Sequence, residues 1–257
     1  MKYLFCLTAA TALLAATPAQ AEDVYVSLSG ALINQSDSDN EGAFTRDFLT
    51  GAGTTIAAGT PLPNGTSVGW TTDFKPGYMI NGAVGKDLGA FRVESELSFT
   101  KANVDTHTGV EAGGIDLTNE DAAVLIQEQN TNLGITVGDL AADGQGSLET
   151  SSVFINGYFD FETDSALTPY VGAGIGYTEG KVDYSPSDVA IIDDKEQFLS
   201  WQLMAGLTYQ VSSGNEFFGG VRYRSSSDLE VDSVLAPFTF DVENKSTSAE
   251  VGYRVKF

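Results

Sequence analysis

Eight segments of this 257-residue chain alternate between apolar and polar or small side chains, and none approaches the ~20 apolar residues of a membrane-spanning helix. Strict period-two alternation belongs to a β-strand with one greasy and one polar face. The sharpest case sets Phe91, Val93, Leu97 and Phe99 against Arg92, Glu94, Glu96 and Ser98. The final run, Ala249 to Phe257, puts apolar or aromatic residues at odd positions and charged residues or glycine at even ones. The other six begin near Val24, Tyr78, Val153, Tyr170, Leu199 and Phe217. Each is about the ~9–11 residues that a tilted membrane strand needs.

The connections sort into two kinds. Asp87-Leu88-Gly89, Glu162 to Thr168 and Ser212-Ser213-Gly214 are short turns, whereas residues 34–76, 101–150, 180–196 and 225–245 are long. Short turns at one end and long loops at the other are the asymmetry of outer-membrane barrels. Tyr177, Trp201, Tyr223 and Phe99 fall toward the long-loop end of the apolar faces. Phe91, Phe159, Tyr209, Phe217 and Phe257 fall toward the short-turn end. Two aromatic bands on one face fit interfacial girdles. The sequence therefore predicts an all-β chain: an eight-stranded antiparallel up-and-down transmembrane β-barrel with short periplasmic turns and four long extracellular loops. Every backbone group in lipid needs an internal partner, which a closed barrel supplies within one chain. Outer-membrane lipid is then the principal neighbour, and a monomer is expected.

The amino end sets the compartment. Met1-Lys2 is a short basic start, Leu4 to Ala16 is apolar, and Ala19-Gln20-Ala21 fits a small-residue cleavage site. Residues 1–21 are expected to be a cleaved signal peptide and residues 22–257 the barrel domain, in the cell outer membrane of a Gram-negative organism. Cleavage removes Cys6, the only cysteine, and with it any disulfide or cysteine-ligated metal. Loss of Lys2 takes the net charge from −22 to −23.

Several segments look like successive motifs of one family. Phe91-Arg92-Val93-Glu94-Ser95-Glu96, Asn156-Gly157-Tyr158-Phe159-Asp160-Phe161, Pro169 to Tyr177 and Val251 to Phe257 resemble, in order, the small outer-membrane barrel family. That group takes in opacity-type porins, OmpA-like barrels and surface antigens of some alphaproteobacteria. The resemblance spans nearly all of the chain after residue 21, but the long loops match nothing specific. It implies an eight-stranded Gram-negative outer-membrane barrel, porin-like or surface-antigen in kind, and no cofactor is expected. It also implies that the C-terminal strand, through Tyr253, Val255 and Phe257, is read by the barrel assembly machinery. A periplasmic peptidoglycan-binding domain is not expected.

Strand parity sends Arg92, Glu94, Glu96, Asp160, Arg222, Arg224, Glu250 and Arg254 into the lumen. Arg or Lys facing lipid near the midplane costs about 2–4 kcal/mol, so parity is enforced. An eight-stranded barrel holds side chains and little else. Buried charges must pair, and Glu94, Glu96, Arg222 and Glu250 fall at similar depth. Gly172, Gly174 and Gly176 on the same face leave room for long side chains to cross. The set reads as a salt-bridged plug, or alternatively as a narrow ion path gated by those pairs.

The four long segments hold 24 acidic and 6 basic residues. That sign disfavours nucleic acid. It suits a soluble, repulsive surface, with a surface or host partner met through the acidic loops and divalent-cation bridging left open. The loop 101–150 could carry a helical turn capped by Asn119 or Asp121, or extend as a hairpin at Val124 to Ile126. The loop 34–76 reads as an irregular excursion. The one histidine, His107, reads as a solvated loop side chain, so neither a Ser–His pair nor a metal site is expected, and the chain is not expected to be an enzyme. Two functions follow: a structural, surface-exposed barrel serving envelope integrity, contact or adhesion, or a low-conductance channel for small solutes. A barrel that passes hydrophobic molecules sideways into the membrane would want an apolar lumen, and the interior charges oppose it.

Overall fold

The computed structural model describes residues 23–142, 144–185, 191–227, 229–233 and 237–257. The expected signal segment, residues 1–21, lies outside the described residues. The strands are β1 (Val24–Gln35), β2 (Ser38–Phe44), β3 (Phe48–Leu49), β4 (Pro61–Leu62), β5 (Ser67–Phe74), β6 (Gly77–Asp87), β7 (Phe91–Ala112) and β8 (Ile115–Asp116), followed by β9 (Gly146–Asp160), β10 (Leu167–Tyr184), β11 (Ile192–Ser212), β12 (Asn215–Ser226), β13 (Leu229–Asp232), β14 (Phe238–Val242) and β15 (Lys245–Lys256). A 3-10 turn (Ala122–Leu125) and the one-turn helix α1 (Val137–Ala141) interrupt the segment between β8 and β9.

Eight strands form a ring in which each pairs antiparallel with both neighbours, in the order β1, β6, β7, β9, β10, β11, β12, β15 and back to β1. The closing seam runs from Tyr25 opposite Lys256 to Gln35 opposite Ser246. Side chains that alternation placed outside are exposed: Leu32 at 74%, Ile175 at 73% and Val251 at 72%. Water does not tolerate so large an apolar belt, but lipid does. The aromatic bands pair laterally. Trp201 meets Tyr223 at 5.4 Å toward the loops, while Phe91 meets Phe159 at 5.1 Å and Phe217 meets Tyr253 at 5.0 Å toward the turns.

Above the membrane the long segments carry sheet alongside irregular loop. β7, β10 and β11 run for 22, 18 and 21 residues, well past a membrane crossing of ~9–11. β2 pairs with β5 and β14, β5 pairs with β7, and β13 pairs with β14. This corrects the expectation for residues 34–76 in part: residues 50–60 are irregular, but Val68, Thr72 and Phe74 alternate inward on β5, as Phe240 and Val242 do on β14, and both strands bury that face.

Two bulges tilt β7 into this head. Asp73 pairs with Thr106 and Phe74 with Val104, which leaves Asp105 as an extra residue. Farther on, Thr71 pairs with Thr108 and Gly69 with Glu111, and Gly109 sits there at φ +67°, a conformation that suits glycine. The first bulge reverses parity: Val104 points inward, and the next buried residue is His107. Between β8 and β9, Asp121 caps the 3-10 turn by accepting from the Ala123 N–H at 3.0 Å. Of the two caps considered from sequence, Asp121 is the one used.

Candidate functional site

The inward side of β7 charts the interior by depth. From the periplasmic end it reads Arg92, Glu94, Glu96, Ser98, Thr100, Ala102 and Val104, so charge gives way to hydroxyls and then to apolar side chains. All eight lumen charges expected from parity lie inside the barrel, and all but Asp160 are less than 9% exposed.

At the lowest level Arg92 holds Asp160 in a bidentate pair, with Nε to Oδ2 at 2.6 Å and Nη2 to Oδ1 at 2.9 Å. Its guanidinium lies over the Tyr158 ring, 4.5 Å from the centroid. Arg254 donates to Glu216 at 2.9 Å and lies 4.8 Å from the Tyr25 ring centroid. Lys256 joins Glu216 at 2.6 Å and Asp87 at 2.9 Å. Glu216 lies one residue before the alternating run that starts at Phe217. It shares the inward parity of Phe218, Gly220 and Arg222, so one more step back would have found it.

The central level is a cross-lumen lock. Arg222, on β12, donates Nη1 to Glu96 on β7 at 2.6 Å and Nη2 to Glu250 on β15 at 2.8 Å. β7 and β12 stand four places apart in an eight-strand ring, so this ion pair spans the full diameter. Arg224 crosses beside it to the Ser98 hydroxyl at 3.0 Å, and Gln202 accepts from both arginines. Glu94, expected beside Arg222, instead accepts from the Tyr25 hydroxyl at 3.0 Å, Tyr158 at 2.7 Å and Asn156 at 3.1 Å. The space above Gly172, Gly174 and Gly176 is filled by Tyr158, Asn156 and Phe154 of the adjacent β9, not by crossing arginines. A polar cavity of about 20 Å³ remains next to Arg222 and Glu94, room for about one water. Next, Thr100 bonds Thr150 at 2.6 Å, and Thr178 bonds Ser152 and Ser200 at 2.9 and 2.8 Å. Ile33, Met79, Leu148, Val182 and Phe198 form an apolar floor above these hydroxyls.

Over that floor the head encloses an apolar cavity of about 120 Å³. Each of the four long segments supplies wall: Phe44, Phe48 and Trp70 from the first, Val124, Val137 and Ala141 from the second, Tyr184 and Ile191 from the third, and Phe238 from the fourth. Left empty, such a void costs about 3 kcal/mol at ~24 cal/mol per Å³. Sequence reasoning found no chamber, because its lining comes from four segments that only the fold brings together.

His107 is part of this wall, which corrects its reading as a solvated side chain: it is 5% exposed. Thr72 Oγ1 accepts from Asn40 Nδ2 at 2.8 Å and from Trp70 Nε1 at 3.1 Å. With both lone pairs used, its O–H donates to His107 Nδ1 at 2.9 Å, which places the imidazole proton on Nε2. The ring packs edge-on against Tyr184 with centroids 4.9 Å apart.

Carboxylates clasp the outer wall. Glu120 accepts from the Thr55 N–H at 2.9 Å, the Ile56 N–H at 3.3 Å and the Thr55 hydroxyl, joining the first segment to the second. Burial raises the proton affinity of this carboxyl, but those hydrogen bonds outweigh it and hold it below the ordinary range. The Asp121 carboxylate accepts from the N–H groups of Ala123, Leu133 and Gly134 at 2.8–3.0 Å, and it too is held low, chiefly by the Ala123 and Leu133 bonds.

Among solved structures, the outer membrane protein OprG from Pseudomonas aeruginosa is 13% identical, covers 92% of this chain and 96% of its own, and superposes with a TM-score of 0.54. Neisserial surface protein A is 15% identical over 92% of this chain and 98% of its own, with a TM-score of 0.47. The OprG likeness supports the barrel fold alone. No curated protein sequence matches. The profile of the surface antigen family matches residues 61–256, from the first long segment through the last strand. By that match the chain belongs to the surface antigen family, here as an eight-stranded β-barrel of the Gram-negative outer membrane.

Proposed function

We propose that the protein is a sealed, monomeric surface barrel whose exposed head, rather than its lumen, is the working part. Its role is envelope integrity and contact with other surfaces through the acidic segments. The observation that carries this reading is the cross-lumen lock of Arg222 on Glu96 and Glu250, at 2.6 and 2.8 Å, with room for about one water beside it. A ring that closes within one chain leaves no edge for a second copy. His107 is bound into the head wall by Thr72 and Tyr184, so no catalytic role is assigned to it. The terminal strand, through Tyr253, Val255 and Phe257, is proposed as the element that the assembly machinery reads.

Single-channel recording of refolded protein in planar bilayers tests the sealed lumen against a low-conductance pore. The wild type should show no steady step. A steady, salt-dependent wild-type conductance that Arg222→Ala or Glu250→Ala alters would establish the pore instead.

A further inference from the structure

A sealed barrel used only for surface contact has no need of a void in its head. Protein interiors fill to the density of organic crystals, and the cost of a void falls when its walls can collapse. Here the walls are held apart. Phe48, Val124, Tyr184 and Phe238 arrive from four different segments, and the first two segments are fastened by Glu120 on Thr55 and Ile56. Cavities lined by apolar carbon stay dry, since water finds too few partners.

The occupant's chemistry follows from size, charge and access. At about 120 Å³ the chamber is close to the ~150 Å³ cavity that accepts benzene. Among the described residues no Lys, Arg, Asp or Glu lines it, so an ionised ligand would lose its hydration without gaining a partner. The 24 acidic residues of the surrounding segments repel anions from the approach. Ile115 is exposed at the rim, and Ile56, Leu125 and Leu140 are half-buried, so entry from outside requires no opening of the barrel. We infer that the chamber binds one small neutral apolar molecule, a single-ring arene or a short alkyl chain, taken from the external medium. This does not depend on whether the lumen conducts.

The chain carries its own reporter. It has two tryptophans: Trp70 lines the chamber, and Trp201 faces the lipid. In Trp201→Phe protein in lipid nanodiscs, bromobenzene, a heavy-atom quencher, is titrated against Trp70 emission. The expected result is saturable quenching that Ala141→Phe, which fills the chamber from α1, weakens by about tenfold or more. Leu140→Phe at the rim gives a second obstruction should Ala141→Phe fail to migrate as a heat-modifiable folded barrel. Quenching that rises linearly and equally in all variants reflects partition into the bilayer and overturns the proposal. So does saturable quenching untouched by both obstructions. An acyl chain retained in native mass spectra and not displaced by bromobenzene would make a lipid the occupant, and would equally overturn it.

Discussion

At the residue scale, position was legible and partnership was not. Period-two parity is local, so Arg92, Glu96, Arg222 and Glu250 could be placed inside from a few neighbours each. Which acid meets which base depends on the strand order around the ring and on the relative depth of opposite strands, which no single segment encodes. Glu94 shows the difference: its partners are Tyr25, Tyr158 and Asn156, not an arginine. Arg222 is the residue whose loss should be felt most, since it neutralises two carboxylates on two strands. Removing one partner of a buried ion pair costs about 3–5 kcal/mol, because the other is left charged and dry. Arg222→Met should therefore lower the unfolding free energy, measured by urea titration of refolded protein in vesicles, by about that amount. Arg224→Met should cost less. Glu96 keeps its 2.6 Å bond to Arg222, and Arg224's own contact at 3.3 Å is the longer one. Equal losses in the two variants would show that Glu96 and Glu250 do not depend on Arg222.

At the element scale the membrane strands were readable and the head was not. Lipid imposes apolar residues at every second position, whereas the head strands face a small core on one side and water on the other. Their signal is therefore shorter and diluted by Asp, Asn and Thr. In β7 the bulges at Asp105 and Gly109 also break the period just where the membrane ends, so the strand seemed to stop near Thr100. The clasped segment 117–142 is held by one isolated β-bridge, Asp121 to Thr136, by scattered backbone bonds and by the Glu120 and Asp121 carboxylates, and the carboxylates give it a pH dependence. Both carboxyls bind protons more weakly in the folded protein than in an unfolded chain. Their contribution is thus fully present above the ordinary carboxylate values of about 4 and is lost as pH falls through the lower folded-state values. Limited proteolysis should leave 117–142 intact at neutral pH and cleave it once the pH has fallen well below the ordinary carboxylate range, while the heat-modifiable barrel persists. Asp121→Asn, which cannot present two charged acceptor oxygens to three N–H groups, should be cleaved several-fold faster already at neutral pH. A cleavage rate independent of both pH and this substitution would mean that the clasp does not hold the segment.

At the scale of the whole molecule, each layer does one job. Lipid-facing alternation fixes the ring, the ion pairs fill it, and the head above is built from what the ring holds together. The class of the protein was legible from the terminal strand because that strand is both lipid-facing and ring-closing. The same strand separates being stable from being assembled. Phe257 is 72% exposed, and its backbone N–H reaches the Val24 carbonyl at 2.9 Å across the closing seam. Its neighbour Tyr253 is fixed instead by Phe217 at 5.0 Å and by a 2.7 Å bond to Asn215. Deleting Phe257 therefore removes little native packing: one rim backbone bond, worth about 1 kcal/mol, and a ring already in lipid. Refolded in vitro, the shortened barrel should unfold within about 1 kcal/mol of the wild type. If the assembly machinery reads the terminal aromatic, the same deletion in cells should sharply reduce the heat-modifiable barrel recovered from the outer membrane. Tyr253→Ala gives the complementary test, since it removes a packed ring and should lower both stability in vitro and yield in cells. Unchanged cellular assembly of the Phe257 deletion would refute the recognition role. A parallel fall in stability and yield would reduce that role to ordinary closure of the sheet.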